Sequence, residues 1–396
     1  MATSEQNNSR LLQDFSRRTA VTNSFPAVMY IEATKGCPYT CIMCNVPEKY
    51  GRKSVDIEQG LLDKVSPYFK YLELLAIHGN GEPLLSRNMD FFIRASLDHN
   101  FFLHMNTTGF FLNRHLADRL CAAKLSIRFS IHAGTEESYQ RIMGDNFDLV
   151  MRNISYLIEK NRQVGIGESD FWFSFIVMKE NINEIEDFLR LSNRVGITKV
   201  RFMALNPRKK TIKGARRDEL DFNFNHFEQI NGKVTAIFLD RLPKIKDLAR
   251  ELGITIESGS MEAMARLRAP AKVFANHLFQ KVFPGKSVFP LVKRRGACMA
   301  PWTGQVHVHQ DGDVQLCCST NYSLGNLYDK DFGEIWNDYK MRDIRSDFSK
   351  GMFPRACGYC RGIGPNEYPI DFFNEIAPTE PFYSSGQHSP HHFQLK

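Results

Sequence analysis

Six short apolar runs, separated by five longer amphipathic stretches, organise the first half of the 396-residue chain. The runs are Val28 to Glu32, Leu72 to His78, Phe101 to Asn106, Leu125 to Ile131, Phe171 to Met178 and Lys199 to Met203. Their length and their Val, Ile, Leu and Phe content predict strands. Ile57 to Tyr68, Asn88 to Asp98, Leu112 to Ala123, Phe147 to Arg162 and Ile185 to Arg194 carry apolar residues at helical spacing. Strands that alternate with helices fold as right-handed βαβ units around a parallel sheet. Six strands fall short of the closed eight-stranded ring, so the expected fold class is α/β, a partial (β/α)6 TIM-like barrel. In that architecture the reactive groups lie on the loops beyond the C-terminal ends of the strands.

The predicted divisions follow from where the alternation starts and stops. Residues 1–24 are polar and read as a mobile arm, 25–205 as the barrel, and 206–290 as a helical connecting region able to contact substrate. Residues 291–365 read as a small cysteine-rich α+β unit and 366–396 as a disordered tail. In the small unit, Gln305 to His309 and Val314 to Cys317 flank Gln310-Asp311-Gly312-Asp313, and Asp-Gly is a tight-turn signal for a hairpin. Hydrophobic residues at 43% and charged residues at 24% are the mix of a soluble globular protein. The densest apolar run, Phe171 to Met178, is far too short to span a bilayer, and the N-terminus has no apolar signal region, so a cytoplasmic location is expected. A net charge of +7 is too diffuse to imply nucleic acid.

Eight of the nine cysteines fall in two groups. In a reducing compartment such grouping reads as metal or cluster ligation rather than a disulfide framework. The first group is Cys37-Pro-Tyr-Thr-Cys41-Ile-Met-Cys44, directly after the first predicted strand. Three thiolates on one short loop leave one iron of a four-iron cube open to an outside ligand, whereas structural zinc takes four ligands. The second group is Cys298, Cys317, Cys318, Cys357 and Cys360. Side chains alternate along a strand, so only one of Cys317 and Cys318 reaches a common site, which leaves four ligands for a cluster or a zinc ion. Cys121 stands alone, and a lone cysteine is most often a small buried apolar residue.

The first cysteine motif and the segments after it resemble the radical SAM family. Gly79-Asn80-Gly81-Glu82-Pro83 stands where the family has Gly-Gly-Glu-Pro, with Asn80 in place of the second glycine. The resemblance implies that this loop holds the methionyl amino group of S-adenosylmethionine, glycines permitting close backbone approach and a carboxylate pairing with an ammonium. Asn106-Thr107-Thr108-Gly109 resembles the family's Thr-Asn-Gly, and Ser130-Ile131-His132-Ala133 its Ser-Ile-Asp-Ala. By resemblance Thr107 and Ser130 line the cofactor, Arg141 or Arg152 pairs with its carboxylate, and Phe202 or Met203 lies near its adenine. His132, standing for the family's Asp, is either a satisfied loop residue or a proton-handling catalytic group. The resemblance covers about residues 26 to 205.

Cys298-Met299-Ala300-Pro301-Trp302, Asp311 to Cys318, Leu324-Gly325-Asn326-Leu327 and Glu334-Ile335-Trp336-Asn337 resemble the SPASM or shortened twitch extension of that family. By that pattern Cys298, Cys317, Cys357 and Cys360 hold one auxiliary [4Fe–4S] cluster. Cys318 is left as a hydrogen donor to a substrate radical or as a spare thiol.

The resemblance implies an oxidoreductase that reductively cleaves S-adenosylmethionine to methionine and a 5′-deoxyadenosyl radical, which takes a hydrogen atom from substrate. Its cofactors are the three-cysteine [4Fe–4S] cluster, the auxiliary [4Fe–4S] cluster and S-adenosylmethionine. One auxiliary cluster favours dehydrogenation of a small hydroxylated metabolite such as a sugar or aminocyclitol; epimerisation and modification of a precursor peptide are the alternatives. The basic clusters Arg208 to Arg217 and Lys293-Arg294-Arg295 are solvated faces, docking sites for an acidic flavodoxin or ferredoxin, or holders of an anionic substrate. Neither nucleic acid nor a membrane is an expected partner. The Cys41→Ala variant is expected to abolish S-adenosylmethionine cleavage, and 5′-deoxyadenosine released by that variant under dithionite would contradict the ligand assignment.

Overall fold

The computed structural model describes residues 4–165, 169–205, 212–213, 223–224, 226–259, 261, 298–317, 320–352 and 354–357. Its centre is one ten-stranded sheet. The strands are β1 (Val28–Ile31), β2 (Leu74–Ile77), β3 (Phe102–Thr107), β4 (Leu125–Ser130), β5 (Asp170–Val177), β6 (Lys199–Ala204), β7 (Thr255–Glu257), β8 (Gly304–Val308), β9 (Asp313–Gln315) and β10 (Ser323–Asn326). The spatial order is β7-β6-β5-β4-β3-β2-β1-β8-β9-β10. The six expected strands form the parallel middle, consistent with a partial barrel. Helix α1 (Ser4–Arg17) precedes the first strand, and the helices between strands include α2 (Gln59–Val65), α3 (Met89–His99), α4 (Arg114–Leu120), α5 (Glu136–Ile142), α6 (Phe147–Val164), α7 (Ile185–Val195) and α8 (Gly232–Glu251).

Each middle strand has two unlike faces. Met29, Ile31, Leu75, Ile77, Leu103, Met105, Ile127, Phe129, Phe173, Phe175 and Phe202 are buried in the main core with the helices. The opposite faces carry Tyr30, Ala76, His104, Asn106, Arg128, Ser130, Ser174 and Arg201, which the ladder register sets side by side. Period-two alternation gives one face to hydrophobic burial, at about 25 cal/mol per Å² of apolar surface, and the other to chemistry.

Two features extend the sheet beyond expectation. The region after residue 205, where no strand was expected, contributes α8 and then β7, which pairs parallel with β6. The C-terminal unit continues the same sheet: β8 pairs parallel with β1, and β9 and β10 follow as the antiparallel hairpin and its neighbour. The Asp-Gly turn between β8 and β9 is where the sequence puts it, with Gly312 at φ 81°.

The mobile arm is corrected. Residues 4–17 form α1, with Leu11 and Phe15 buried in the core and Asp14 accepting from the backbone of Asn23 and Ser24 at 3.0 Å. Trp302 and Trp336 lie wholly buried behind it, donating to the carbonyls of Thr19 and Ser24 at 2.9 Å. Arg345, also fully buried, donates to the carbonyl of Pro301 at 2.8 Å and that of Ala20 at 3.2 Å, and burial pulls its pKa down to about 9. The polar sequence of the arm concealed an amphipathic helix whose apolar positions are few but fully used. Leu11→Ala is therefore expected to destabilise the fold by about 3 kcal/mol through the cavity it leaves, read as a lower urea midpoint under anaerobic conditions. An unchanged midpoint would mean that α1 does not pack.

Candidate functional site

The first cysteine loop leaves the C-terminal end of β1. A two-residue antiparallel ladder, Thr34–Lys35 with Val55–Asp56, ties its stem together. Gly36 donates to the carbonyl of Asn80 at 2.8 Å, Cys37 to that of Gly51 at 3.3 Å, and Ile42 to that of Ile142 at 2.9 Å. Tyr39 reaches the fully buried Tyr139 through a 2.6 Å hydroxyl contact, and a ring nitrogen of His226 stands 3.2 Å from the carbonyl of Met43. The backbone of Cys37, Cys41 and Cys44 is thus fixed from α5, the loop after β2 and the segment before α8. Burial pushes the Cys37 thiol up to about 12, and the Cys41 thiol rises well above its ordinary value through burial and its neighbours Cys44 and Cys37. Among the described residues no group of three or more His, Cys, Asp or Glu side chains is placed to hold a single metal ion, so the fit of this loop rests on its three thiols being the donor type a cluster takes. This donor set fits an iron–sulfur cluster, whose assembly displaces the protons.

The Gly79–Pro83 loop lies alongside. A Cβ at Gly79 would meet the Glu32 side chain at 2.5 Å, and one at Gly81 would collide with the Thr34 carbonyl, so both positions need glycine. Glu82, 3% exposed, accepts from Thr107 Oγ1 at 2.5 Å, the Thr108 backbone at 3.1 Å, Thr108 Oγ1 at 3.3 Å and the Leu84 backbone at 3.2 Å. Burial raises its pKa against these four donors. Thr107 therefore supports Glu82. Asn80 directs its backbone N–H and its Nδ2 to Glu32 Oε1 at 2.7 and 2.8 Å.

In the C-terminal unit, Cys298, Cys317 and Cys357 are described, while Cys318 and Cys360 lie outside the described residues. Thr320, three positions beyond Cys317, donates to the carbonyl of Ala356 at 2.8 Å, which brings the Cys317 loop beside Cys357. Of the two basic clusters only Lys213 is among the described residues.

The radical SAM superfamily model matches residues 31–192, and the iron-sulfur cluster-binding SPASM domain matches residues 298–361. The chain belongs to the radical SAM superfamily. Its C-terminal unit matches the SPASM domain, and the two domains together imply [4Fe–4S] clusters and S-adenosylmethionine binding. A probable GTP 3′,8-cyclase of Saccharolobus islandicus is 27% identical over 180 residues, 45% of this chain and 56% of that one, so this match spans little more than half of the cyclase. The AdoMet-dependent heme synthase of Nitratidesulfovibrio vulgaris is 22% identical over 349 residues, 83% of both chains. Among solved structures, Streptococcus suis SuiB aligns with a TM-score of 0.56 at 14% identity, covering 97% of this chain and 81% of that one. The anSMEcpe structure with bound AdoMet and a peptide aligns at 0.53 and 18% identity, covering 89% and 94%. These likenesses show the fold.

The other expected cofactor-side residues lie in differing surroundings. Arg152 is exposed on α6, away from the buried stripe of Val150, Ile154 and Leu157. Arg141 is engaged by Glu184 at 3.7 Å, Glu180 at 3.8 Å and Glu137 at 4.0 Å. Phe202 faces the helices, packed against Phe175, Phe188 and Phe238, while Met203 lies on the opposite face beside Ile176. Ser130 is half-buried opposite Ser174 on the polar face.

His132 is a satisfied buried residue. Its Nδ1 accepts from the Ile176 N–H at 3.2 Å, its carbonyl accepts from Asn181 Nδ2 at 2.9 Å, and burial pulls its pKa down to about 4. With Nδ1 accepting from that backbone donor, the proton of the neutral ring lies on Nε2, which supports the structural reading of His132. Cys121 is the buried apolar residue expected of a lone thiol, with burial pushing its pKa up to about 11.

The residues missed by sequence reasoning are the imidazoles of the polar face. His78 and His307 stand beside Tyr30 at ring-centroid distances of 5.0 and 5.9 Å, and His104 and His307 each lie 6.2 Å from His78. Burial pulls His78 down to about 4 and His307 to about 3, with Arg128 adding to the effect on His78 and His309 and His78 to that on His307. His307 Nε2 is buried with no hydrogen-bond partner among the described residues. The signal was available as polar residues two apart in Phe102–Thr107 and Leu125–Ser130, but His307 required knowing that β8 joins β1.

The depressed histidines fix a pH dependence. Unfolded, each binds its proton near the ordinary value of 6.5; folded, His78 and His132 do so only near 4. Their stabilisation is complete above pH 6.5 and is lost as pH falls toward 4. His132→Asn, which keeps an acceptor for Ile176, is expected to flatten the fall of the urea midpoint between pH 7.5 and 5.5 by about one proton. It should leave the pH profile of 5′-deoxyadenosine formation unmoved; a moved profile would restore a proton-handling role to His132.

Proposed function

We propose that this radical SAM enzyme oxidises a small, polar, hydroxylated substrate by two electrons, consuming one S-adenosylmethionine per turnover. When bound, the first cluster with S-adenosylmethionine supplies the 5′-deoxyadenosyl radical, and the auxiliary cluster supplies an acceptor for one electron. Cys37, Cys41 and Cys44 would hold three corners of the first cluster and Cys298, Cys317, Cys357 and Cys360 the auxiliary one. Gly79, Asn80, Gly81, Glu82 and Pro83 form the backbone edge toward which the methionyl group would lie, with Thr107 steadying Glu82. Met203 and Ser130, on the polar face, line the approach to the radical. A carbinol substrate loses one hydrogen atom from carbon, one proton from oxygen and one electron, and leaves as a ketone or aldehyde.

The observation that carries the substrate class is the unpartnered, nine-tenths buried Nε2 of His307 on a face lined by His78, His104, Asn106 and Ser130. Leaving a buried polar atom unsatisfied costs about 1–3 kcal/mol, which a hydroxyl or amino group of a bound substrate would recover. The alternative substrate is a peptide, favoured by the solved structures of SuiB with its precursor peptide and of anSMEcpe with a peptide bound. A reduced flavodoxin or ferredoxin is the proposed electron donor. Among the described residues no helix is long and apolar enough to cross a membrane.

Anaerobic reconstitution followed by dithionite, S-adenosylmethionine and a panel of aminocyclitols, sugars and peptides tests the reading. The expected result is accelerated 5′-deoxyadenosine formation with a polyol, a carbonyl product in one-to-one ratio, and no solvent deuterium in that product. Solvent deuterium at an inverted carbon would identify an epimerase, with Cys318 as the first donor to substitute. Acceleration by peptides alone would overturn the small-molecule reading.

A further inference from the structure

We infer that Glu32 is a positioning residue that fastens the cofactor loop Gly79–Pro83 to the turn of the C-terminal hairpin, so that the SPASM domain sets the geometry of the radical SAM site. The inference rests on the reading above that this loop holds S-adenosylmethionine. Glu32 follows β1 and its side chain is fully buried. Oε1 receives the Asn80 N–H at 2.7 Å and Asn80 Nδ2 at 2.8 Å. Oε2 receives the Gln310 N–H at 3.3 Å, stands 3.4 Å from His309 Nδ1 and pairs with Lys35 at 3.5 Å. One oxygen therefore serves the cofactor loop and the other serves the hairpin turn and the stem of the cysteine loop.

Neighbouring contacts run along the same seam. Lys35 also pairs with Asp311 at 3.6 Å, and Gln310 Nε2 donates to the carbonyl of Asp56, in the cysteine-loop stem, at 3.3 Å. The Glu32 N–H donates to the carbonyl of Val308 at 2.8 Å, which fixes the carboxylate relative to β8. Gly79 is packed directly on the Glu32 side chain, and Gly36, beside Cys37, hydrogen-bonds the carbonyl of Asn80. Burial alone would raise the Glu32 carboxyl, but His309, the Asn80 N–H and Lys35 hold it at about 2, so it is a fixed anion at working pH. The arrangement also explains Asn80: a glycine there would keep the backbone donor and lose the second bond to Oε1. A carboxylate that merely filled space would need no donors from two segments separated by 229 positions, Asn80 and His309.

The test uses the anaerobically reconstituted holoenzyme without substrate, measuring iron per chain, unfolding midpoint, and kcat and KM for S-adenosylmethionine in 5′-deoxyadenosine formation. Glu32→Gln is expected to raise KM about tenfold, the effect of losing a charge-assisted hydrogen bond, with iron content unchanged and kcat within about twofold. Asn80→Gly and His309→Ala should each raise KM about threefold, and His309→Gln, which restores a donor, should recover most of that loss. Glu32→Gln combined with His309→Ala should be no worse than Glu32→Gln alone, because both remove the same link. Unchanged KM in Asn80→Gly and His309→Ala, with full iron, would overturn the inference even if Glu32→Gln failed to fold. So would KM effects of Glu32→Gln and His309→Ala that multiply independently, or stability losses with no change in KM. If the wild-type enzyme releases no 5′-deoxyadenosine, both the inference and the reading beneath it fall; wild-type turnover with unmoved KM in the variants sinks the inference alone.

Discussion

An eight-residue loop from Cys37 to Cys44 has no core of its own, yet it must present three thiols in one fixed arrangement. Its rigidity has to be supplied from outside, and the structure supplies it from three directions. Tyr139 and Ile142 of α5 hold the tip, His226 approaches the carbonyl of Met43, and the two-residue ladder with Val55–Asp56 holds the stem. Tyr139, Ile142, His226 and Thr34 are themselves buried, so the cost of ordering the loop is offset by packing that exists for other reasons. The thiols themselves oppose this arrangement, since burial and mutual proximity disfavour their charged forms. Kept protonated they are neutral, and a cluster that bound them as thiolates would supply the compensating positive charge.

The two-faced sheet gives the site its second condition. The apolar residues that pack the helices and the polar residues that face away from them alternate along the same strands, so neither set can shift without the other. In β3, Leu103 and Met105 enter the core while His104 and Asn106 face the other way; in β4, Ile127 and Phe129 do the same around Arg128. A one-residue slip would bury the imidazoles among the helices and expose the core. The polar face is therefore positioned by hydrophobic burial.

What was legible in the chain was what is local. The six middle strands, their helices, the Asp-Gly hairpin and the two cysteine groups rest on periodicity and spacing over a dozen residues or fewer. What was not legible depends on partners distant in sequence. The helix Ser4–Arg17 has a polar composition and owes its order to Leu11, Phe15 and Asp14 finding the core and the segment after it. Strand Thr255–Glu257 is too short to signal itself and exists because β6 offers an unpaired edge. Phe202 and Met203 are neighbours, and only the pleat decides which of them faces the helices. His132 reads equally as structural or catalytic in the sequence, and only the fold brings its Nδ1 to the Ile176 N–H.

The C-terminal unit is the largest such case, because its hairpin continues the barrel sheet instead of forming a separate one. β8 is hydrogen-bonded to β1, the strand that leads into the cysteine loop, and Tyr30 stands opposite His307 across that join. An auxiliary-cluster domain tethered by a flexible linker could vary its distance from the radical SAM site; one that shares a ladder with β1 cannot do so without breaking buried backbone hydrogen bonds. The burial of Trp302, Trp336 and Arg345 against residues 19–24 adds a second attachment on the side of α1. The two iron–sulfur regions are thus parts of one packed unit, and the polar face they share, with His307 from one and His78 and His104 from the other, belongs to both.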